Sequence, residues 1–298
     1  MRLLPPVRSR TGALLLAALL VGLLGSVAGC GALGESSSDD RPRVVASFYP
    51  LAYVAHRVAG RHAAVTNLTT PGTEPHDAEL SVQHTAAVAD ADVAVYEKGL
   101  QPSVDDAIAQ TGPAHVVETT EVAPLEDGDP HFWLDPLRLD AVARAVTAQL
   151  AEVDPAHADA YRANLRELHA DLLDIDADYR EGLADCALHT VVVSHDAFGY
   201  LSKYGLHFEA INGLSPEAEP SPAHLAALQD LIEQQSITTV FTETLASPEL
   251  AATLARDVGV STDVLDPIEG LGDATRDQDY LSLMRANLAA LQKANRCP

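Results

Sequence analysis

Three histidines lie in turn-forming segments that each follow a short apolar run. His76 stands in PGTEPHD, His131 in DPHFWLDP and His195 in SHDAF. Neutral imidazole nitrogens bind borderline divalent metals, and three of them with a carboxylate make a four- or five-ligand site. These three histidines are therefore predicted metal ligands. The other nine histidines lack this placement and are expected to be ordinary surface or core residues.

Acidic residues near these turns are candidates for completing the site. Asp266 and Glu269 follow the last predicted strand in LDPIEG, and either supplies an anionic ligand that stabilises a dication. Asp77, Asp135 and Asp196 stand close to the three histidines in sequence. We expect these three carboxylates to accept hydrogen bonds from the ligand imidazoles and so to orient them.

Enzyme motifs are missing from the sequence. It contains no HExxH, no GxSxG and no GxxxxGK[ST]. Ser194, His195 and Asp196 have the residue types of a catalytic triad, but consecutive side chains diverge and cannot form that relay. A metallohydrolase would need an open coordination position and a nearby base, which a sequence does not test. We expect a protein that binds a metal and catalyses nothing.

Short apolar, β-branched runs alternate with helical stretches, which predicts buried parallel strands with crossover helices in each half of the chain. The predicted strands are 44–48, 64–68, 93–96, 115–117, 191–193, 208–211, 239–241 and 263–265. In open parallel sheets, ligands collect at the carboxyl ends of the strands. Two histidines from the first half and one from the second are therefore predicted to meet in a cleft between the halves.

One long amphipathic helix is predicted between the halves, over 154–185. Asp154-Pro155 has the residue types of an N-cap and a first-turn proline. Its apolar face has steps of three and four: Tyr161, Leu165, Leu168, Leu172, Ile175, Tyr179 and Leu183. This helix divides the folded region into an amino-terminal lobe over 43–153 and a carboxyl-terminal lobe over 186–298.

The amino terminus has the layout of a lipoprotein signal. Three arginines precede an apolar run that ends in Val-Ala-Gly-Cys, with the cysteine at position 30. Residues 1–29 are predicted to be removed and Cys30 to be acylated, and the alternative is an uncleaved signal anchor with an incidental cysteine. Residues 30–42 are rich in Gly, Ser and Asp and are expected to form a flexible tether. No later stretch has the pattern of a membrane span.

Two cysteines remain if Cys30 carries lipid, and an even pair in an oxidising compartment usually forms a disulfide. Cys186 and Cys297 are therefore predicted to be bonded, the alternative being two free thiols. The signal carries three arginines and no acidic residue, so its removal takes the formal charge from −24 to −27. A surface this acidic repels nucleic acid and anionic lipid, so membrane contact is expected only through the anchor.

The chain resembles the zinc-uptake ABC transporter solute-binding family (ZnuA-like, cluster A-I) over essentially its whole mature length. The resemblance is carried by ASFYPLAYVAHRVAG at 46–60, PGTEPHD, DPHFWLDP, SHDAFGYL with the following YGL, INGLSPEAEPSP at 211–222, FTETLASPELA and VLDPIEGL. It implies an α/β fold of two lobes, each with a four-stranded, mostly parallel sheet flanked by helices, joined by one long backbone helix.

The resemblance also implies a function. Matched by motif, His76, His131 and His195 are the three histidine ligands, and the fourth is Asp266, Glu269 or water. A monomeric receptor would bind Zn²⁺ between the lobes and deliver it to an ABC transporter permease. Manganese-type relatives usually have glutamate at the third position, and nitrogen-rich coordination favours zinc over manganese. The alternatives are a manganese or iron receptor of the same fold, or a surface adhesin with a structural metal.

One segment departs from the family pattern. Many zinc-binding members carry a long loop rich in His and acidic residues between the first two histidine ligands. The matching stretch here is EVAPLEDGD, at 121–129, which is acidic but contains no histidine. Zinc selectivity is therefore expected to depend on the three histidines alone.

Overall fold

The computed structural model describes residues 40–298, and the first half of this region forms one parallel sheet. Its strands are β1 (Arg43–Ala46), β2 (Ala64–Asn67), β3 (Val93–Tyr96) and β4 (His115–Glu118), in the order β2-β1-β3-β4. The helices of this half, here called the first lobe, are α1 (Tyr49–Ala59), α2 (Val82–Ala89), α3 (Pro102–Thr111), α4 (Thr119–Val122) and α5 (Pro136–Val153). The predicted signal peptide, Cys30 and most of the predicted tether lie outside the described residues.

The second half repeats this arrangement and is here called the second lobe. Its strands are β5 (Thr190–Val193), β6 (His207–Ala210), β7 (Thr239–Thr242) and β8 (Ser261–Val264), in the order β6-β5-β7-β8 and again parallel. Its helices are α7 (Pro222–Gln235), α8 (Glu249–Val258) and α9 (Tyr280–Asn295). The predicted fold class, with two four-stranded parallel sheets flanked by helices, is confirmed.

The central strands are apolar because helices cover both faces of each sheet. Val44 and Val45 of β1 and Val191 and Val192 of β5 are all buried, so consecutive residues on opposite faces avoid water. Because all strands in each sheet are parallel, the crossover connections put their carboxyl ends at the same edge of the sheet. The loops that leave this edge carry the histidines discussed below.

The long helix between the lobes is α6 (Ala158–Gly182), which at 1.5 Å per residue is about 37 Å long. The predicted start of this helix at residue 154 was too early, because Pro155–His157 forms a separate 3₁₀ turn before α6. The face predicted to be apolar is buried, apart from the half-buried Leu165. Tyr179 from this face donates a hydrogen bond to the carbonyl oxygen of Met284 at 2.7 Å, which joins α6 to α9.

The two lobes are also bonded directly to each other. The indole nitrogen of Trp133, in the first lobe, donates to the carbonyl oxygen of Pro267 at 2.7 Å. The hydroxyl of Tyr280, on α9, donates to the carbonyl oxygen of Trp133 at 2.6 Å. Lys203 in the second lobe lies 2.9 Å from Asp176 of α6 and also contacts Asp135. The two buried hydrogen bonds and the partly exposed Lys203 contacts hold the lobes together near the histidine loops.

The carboxyl terminus is covalently attached to the start of the second lobe. Cys186 and Cys297 form a disulfide, which confirms the predicted pairing. Residues 41–298 form a compact unit. Among the helices of the described region, none combines the length and apolarity that a membrane span requires.

Replacement of Cys186 and Cys297 by serine should lower the free energy of unfolding by about 2–4 kcal/mol, because the open chain regains the entropy of a loop of more than a hundred residues. Urea denaturation of a soluble form, residues 31–298, would measure the difference. Reduction of the wild-type protein should reproduce it. Equal stability of the double variant and the oxidised wild type would contradict this prediction.

Candidate metal centre

Four side chains from four separate loops converge between the lobes. His76, His131, His195 and Glu269 each offer one ligand atom, and these atoms all lie within 4.8 Å of one another. His131, His195 and Glu269 are almost completely buried, whereas His76 is partly exposed. His76 and His131 come from the first lobe and His195 and Glu269 from the second. The predicted meeting of the three histidines is thus what the structure shows, and Glu269 joins them.

Local turns fix each histidine backbone. His76 is the middle residue of the 3₁₀ turn Pro75–Asp77, and its N–H donates to the preceding Glu74 carboxylate at 3.2 Å. The N–H of His131 donates to Asp129 Oδ1 at 2.9 Å, which is an Asx turn. His195 follows β5 after one intervening residue. The ligands therefore sit on short, hydrogen-bonded turns at strand ends or on loops between elements.

The spacing of the ligand atoms fits a tetrahedron around one ion. Nε2 of His131 lies 3.3 Å from Nε2 of both His76 and His195. Oε1 of Glu269 lies 3.4, 3.0 and 3.5 Å from Nε2 of His76, His131 and His195, respectively. Zinc–nitrogen bonds of about 2.0–2.1 Å in tetrahedral geometry put neighbouring ligand atoms about 3.3–3.4 Å apart. The five separations that include His131 or Glu269 lie at or near that edge length. The ligand nitrogens of His76 and His195 lie within 4.8 Å of each other.

Glu269 carries the negative charge of this cluster. Neither of its carboxylate oxygens has a well-aligned hydrogen-bond donor in the described part of the chain, although three imidazole nitrogens approach one of them. Burial favours its neutral form, but the three imidazoles outweigh this and hold the pKa of Glu269 well below its usual range. A buried, poorly hydrogen-bonded carboxylate facing three nitrogens is a good site for a dication.

The pKa values of His131 and His195 shift in the opposite direction, upward. Burial by itself would lower the pKa of His195, but contacts with Glu243 and Glu269 raise it to about 10. For His131, too, the carboxylates of Asp129 and Glu269 outweigh burial and raise the pKa. The cluster therefore favours positive charge on His131 and His195, and a divalent cation supplies the same positive charge.

Two carboxylates that the sequence analysis missed orient the rings. Nδ1 of His131 lies 2.7 Å from Asp129 Oδ1, and Nδ1 of His195 lies 2.6 Å from Glu243 Oε1. An ionised carboxylate only accepts, so each Nδ1 carries the proton and Nε2 is left for a metal. Glu243 follows β7 directly and Asp129 stands two residues before His131, so strand-end position and the Asx-turn pattern could have identified them.

None of the three aspartates predicted to orient the rings bonds to a histidine ring in the described residues. Asp135 accepts from the N–H of Leu137 at 2.9 Å as the N-cap of α5 and also pairs with Lys203. The side chains of Asp77 and Asp196 accept no hydrogen bond from any group in residues 40–298, although Asp196 lies close enough to His131 and His195 to feel their charge.

Asp266, the other candidate for the fourth ligand, braces the loop that carries Glu269. Its Oδ1 accepts from the N–H of Ile268 at 2.7 Å, and its Oδ2 accepts from the Thr244 hydroxyl at 2.9 Å. The backbone N–H of Asp266 donates to the side-chain oxygen of Asn287 at 2.9 Å, and the side-chain amide of Asn287 donates to the carbonyl oxygen of Asp266 at 2.6 Å. Both carboxylate oxygens are thus engaged away from the cluster.

This brace holds an unfavourable backbone conformation. Ile268 has φ +59°, which a β-branched residue rarely adopts and which costs on the order of 1–3 kcal/mol. The hydrogen bonds of Asp266 and the bond from Trp133 to the carbonyl oxygen of Pro267 surround this residue. They turn the loop sharply enough for Glu269 to face the histidines.

Comparison with known proteins identifies the family of this chain. Residues 44–294 match the family described as "Zinc-uptake complex component A periplasmic". The chain is 33% identical over 284 residues to the zinc-binding lipoprotein AdcA of Streptococcus pneumoniae (strain ATCC BAA-255 / R6), covering 87% of this chain and 57% of AdcA. It is 32% identical over 296 residues to the high-affinity zinc uptake system protein ZnuA of Bacillus subtilis (strain 168), covering 89% of this chain and 92% of ZnuA.

A solved structure shows the same likeness. The Zn(II)-bound ZnuA-like domain of S. pneumoniae AdcA superposes with a TM-score of 0.74 and 34% identity, over 86% of this chain and 99% of that domain. The chain spans little more than half of full-length AdcA, and the matched part is this domain. With most of its length matched by the family model, the chain belongs to the zinc-uptake complex component A periplasmic family.

Proposed function

We propose that this protein captures Zn²⁺ outside the cytoplasm and delivers it to an ABC transporter permease. His76, His131, His195 and Glu269 are the four ligands, and Asp129 and Glu243 orient two of the imidazoles. The observation that carries this proposal is the convergence of three nitrogens and one oxygen within 4.8 Å of one another, with the separations from His131 and Glu269 near the edge length of a zinc tetrahedron. The names of the AdcA and ZnuA relatives support zinc uptake as the purpose of that site.

The ligand set also favours binding over catalysis. Four protein ligands fill a tetrahedral zinc ion, whereas a catalytic zinc keeps one position for water or substrate. Three nitrogens favour zinc over manganese, which prefers oxygen ligands. Zinc is therefore the cargo, and the protein holds it and releases it unchanged, acting as a monomer.

A titration of the metal-free soluble form tests this function. We expect one equivalent of Zn²⁺ to bind tightly and an excess of Mn²⁺ to leave it in place, because the site is rich in nitrogen. Calorimetry with and without Mn²⁺ measures both. Displacement by Mn²⁺ would favour the manganese or iron receptor, and failure of both ions to bind would remove the transport proposal.

The fourth ligand can be identified with two isosteric substitutions in neighbouring positions. Glu269→Gln should weaken zinc binding by at least about 100-fold, because a neutral amide replaces the one anionic ligand. Asp266→Asn should weaken it by less than about tenfold, because an asparagine Oδ1 still accepts from the N–H of Ile268. Competition with a zinc chelator measures both constants. The reverse order of the two losses would assign the ligand to Asp266.

The predicted lipid anchor on Cys30 is part of the proposal. Cys30→Ser should release the protein from the membrane fraction into the soluble fraction, because no acyl chain can then be attached. Fractionation of a bacterial host that processes lipoproteins measures this, with the wild-type chain as the control. Retention of the variant in membranes would favour the uncleaved signal anchor.

A further inference from the structure

A cavity of about 300 Å³ adjoins the proposed zinc site on the side of His76. Its other walls come from the loop after β3, which includes Glu97 and Gly99, and from Leu125 and Gly128 in the acidic segment before His131. Leu214 and Ser215 of the second lobe close it. The cavity is therefore formed by both lobes, and one of the proposed ligands belongs to its wall.

Glu97 is the unusual residue in this wall. It is only 2% exposed, and neither oxygen of its carboxylate has a hydrogen-bond partner among residues 40–298. Burial raises the pKa of Glu97 well above its usual range, and Asp129, Glu118 and Asp105 raise it further. Lys98, which also lines the cavity, favours the ionised form of Asp105, but it makes no hydrogen bond with the carboxylate of Glu97. A buried carboxyl group in such surroundings is costly unless a cation or proton compensates for it.

More acidic residues surround an adjacent cleft. Leu214 separates the cavity from a second one of about 270 Å³, whose walls include Glu126, Asp127, Asp129 and Asp196. Surface carboxylates concentrate cations near them without forming a site. They belong largely to the segment that, in this chain, lacks the histidines of a metal-collecting loop. The acids of this cleft and Glu97 thus extend from the surface toward His76.

We propose that Glu97 forms a second, weak site for a divalent cation, at which the ion pauses before it reaches His76. This inference rests on the proposed function, because it concerns the path to that zinc site. The ion binds through the carboxylate oxygens of Glu97 and keeps most of its water, and the proton of Glu97 is released to solvent. Six water molecules occupy about 180 Å³, so a hydrated ion fits the cavity.

A pausing site of this kind has a kinetic signature. It speeds both entry and exit of the ion, because each passes through the same intermediate. It therefore changes rate constants and leaves the dissociation constant of the zinc site unchanged. A buried acid that serves only the fold would affect neither quantity.

Stopped-flow mixing of metal-free residues 31–298 with Zn²⁺ tests the proposal, since this form contains the complete compact unit. Glu97→Gln keeps the shape of the side chain and should slow association about tenfold, because an amide cannot lose a proton to become the anionic oxygen ligand at which the ion pauses. Zinc release to a chelator should slow by the same factor. Glu167→Gln is the matched control, because it removes one charge from an exposed position on α6 and should leave both rates unchanged.

The outcomes separate this proposal from the one on which it depends. A wild-type protein that binds no zinc refutes the proposed function itself. A wild-type protein that binds zinc, together with unchanged rates in Glu97→Gln, refutes only the second site. If Glu97→Gln fails to fold, Glu97→Asp takes its place. The aspartate keeps a carboxyl group but holds it one methylene farther from the ion, so association should be slower than in the wild type by less than tenfold. Rates equal to wild type in that variant would also overturn the proposal.

Discussion

The buried carboxylate of Glu269 is the constraint on which the rest of the structure depends. A charge that is 1% exposed is tolerated only when positive groups surround it, and here three imidazoles do so. Those imidazoles come from both lobes, so the lobes must meet at this point. The hydrogen bonds donated by the Trp133 indole and the Tyr280 hydroxyl, together with the long helix α6, fix the position at which the lobes meet. The fold thus positions four side chains that no single lobe could bring together.

Much of this was predictable from the sequence, because it depends on local patterns. Short, apolar β-branched runs identified the eight strands. Apolar residues at steps of three and four identified α6, and turn-forming segments after apolar runs identified the three histidines. The choice between Asp266 and Glu269 was not predictable. They are three residues apart, and only the left-handed conformation of Ile268 decides which carboxylate faces the cluster. That conformation is imposed by tertiary hydrogen bonds from Asn287 and Trp133.

The ring-orienting residues were missed for a related reason. Proximity in sequence suggested Asp77, Asp135 and Asp196, but an imidazole points its two nitrogens in different directions. The residue that bonds Nδ1 depends on which part of the chain lies on the side of the ring opposite the metal site. For His195 that partner is Glu243, which is 48 residues away along the chain but directly follows β7, the strand beside β5. Its position directly after a strand marks Glu243 as a candidate, but only the sheet order, which the sequence pattern does not specify, puts that strand end beside β5.

The hydrogen bond between Trp133 and Pro267 ties together the two loops that carry His131 and Glu269. Neither loop can withdraw its ligand far without first breaking this buried bond, and once it breaks both loops are free to move. The ion should therefore lose these two ligands together, so that holding and releasing are two distinct states with few partly coordinated forms between them. A transporter that opens this bond would free both ligands from the ion in one step. Thermal fluctuations too small to break the bond would free neither ligand.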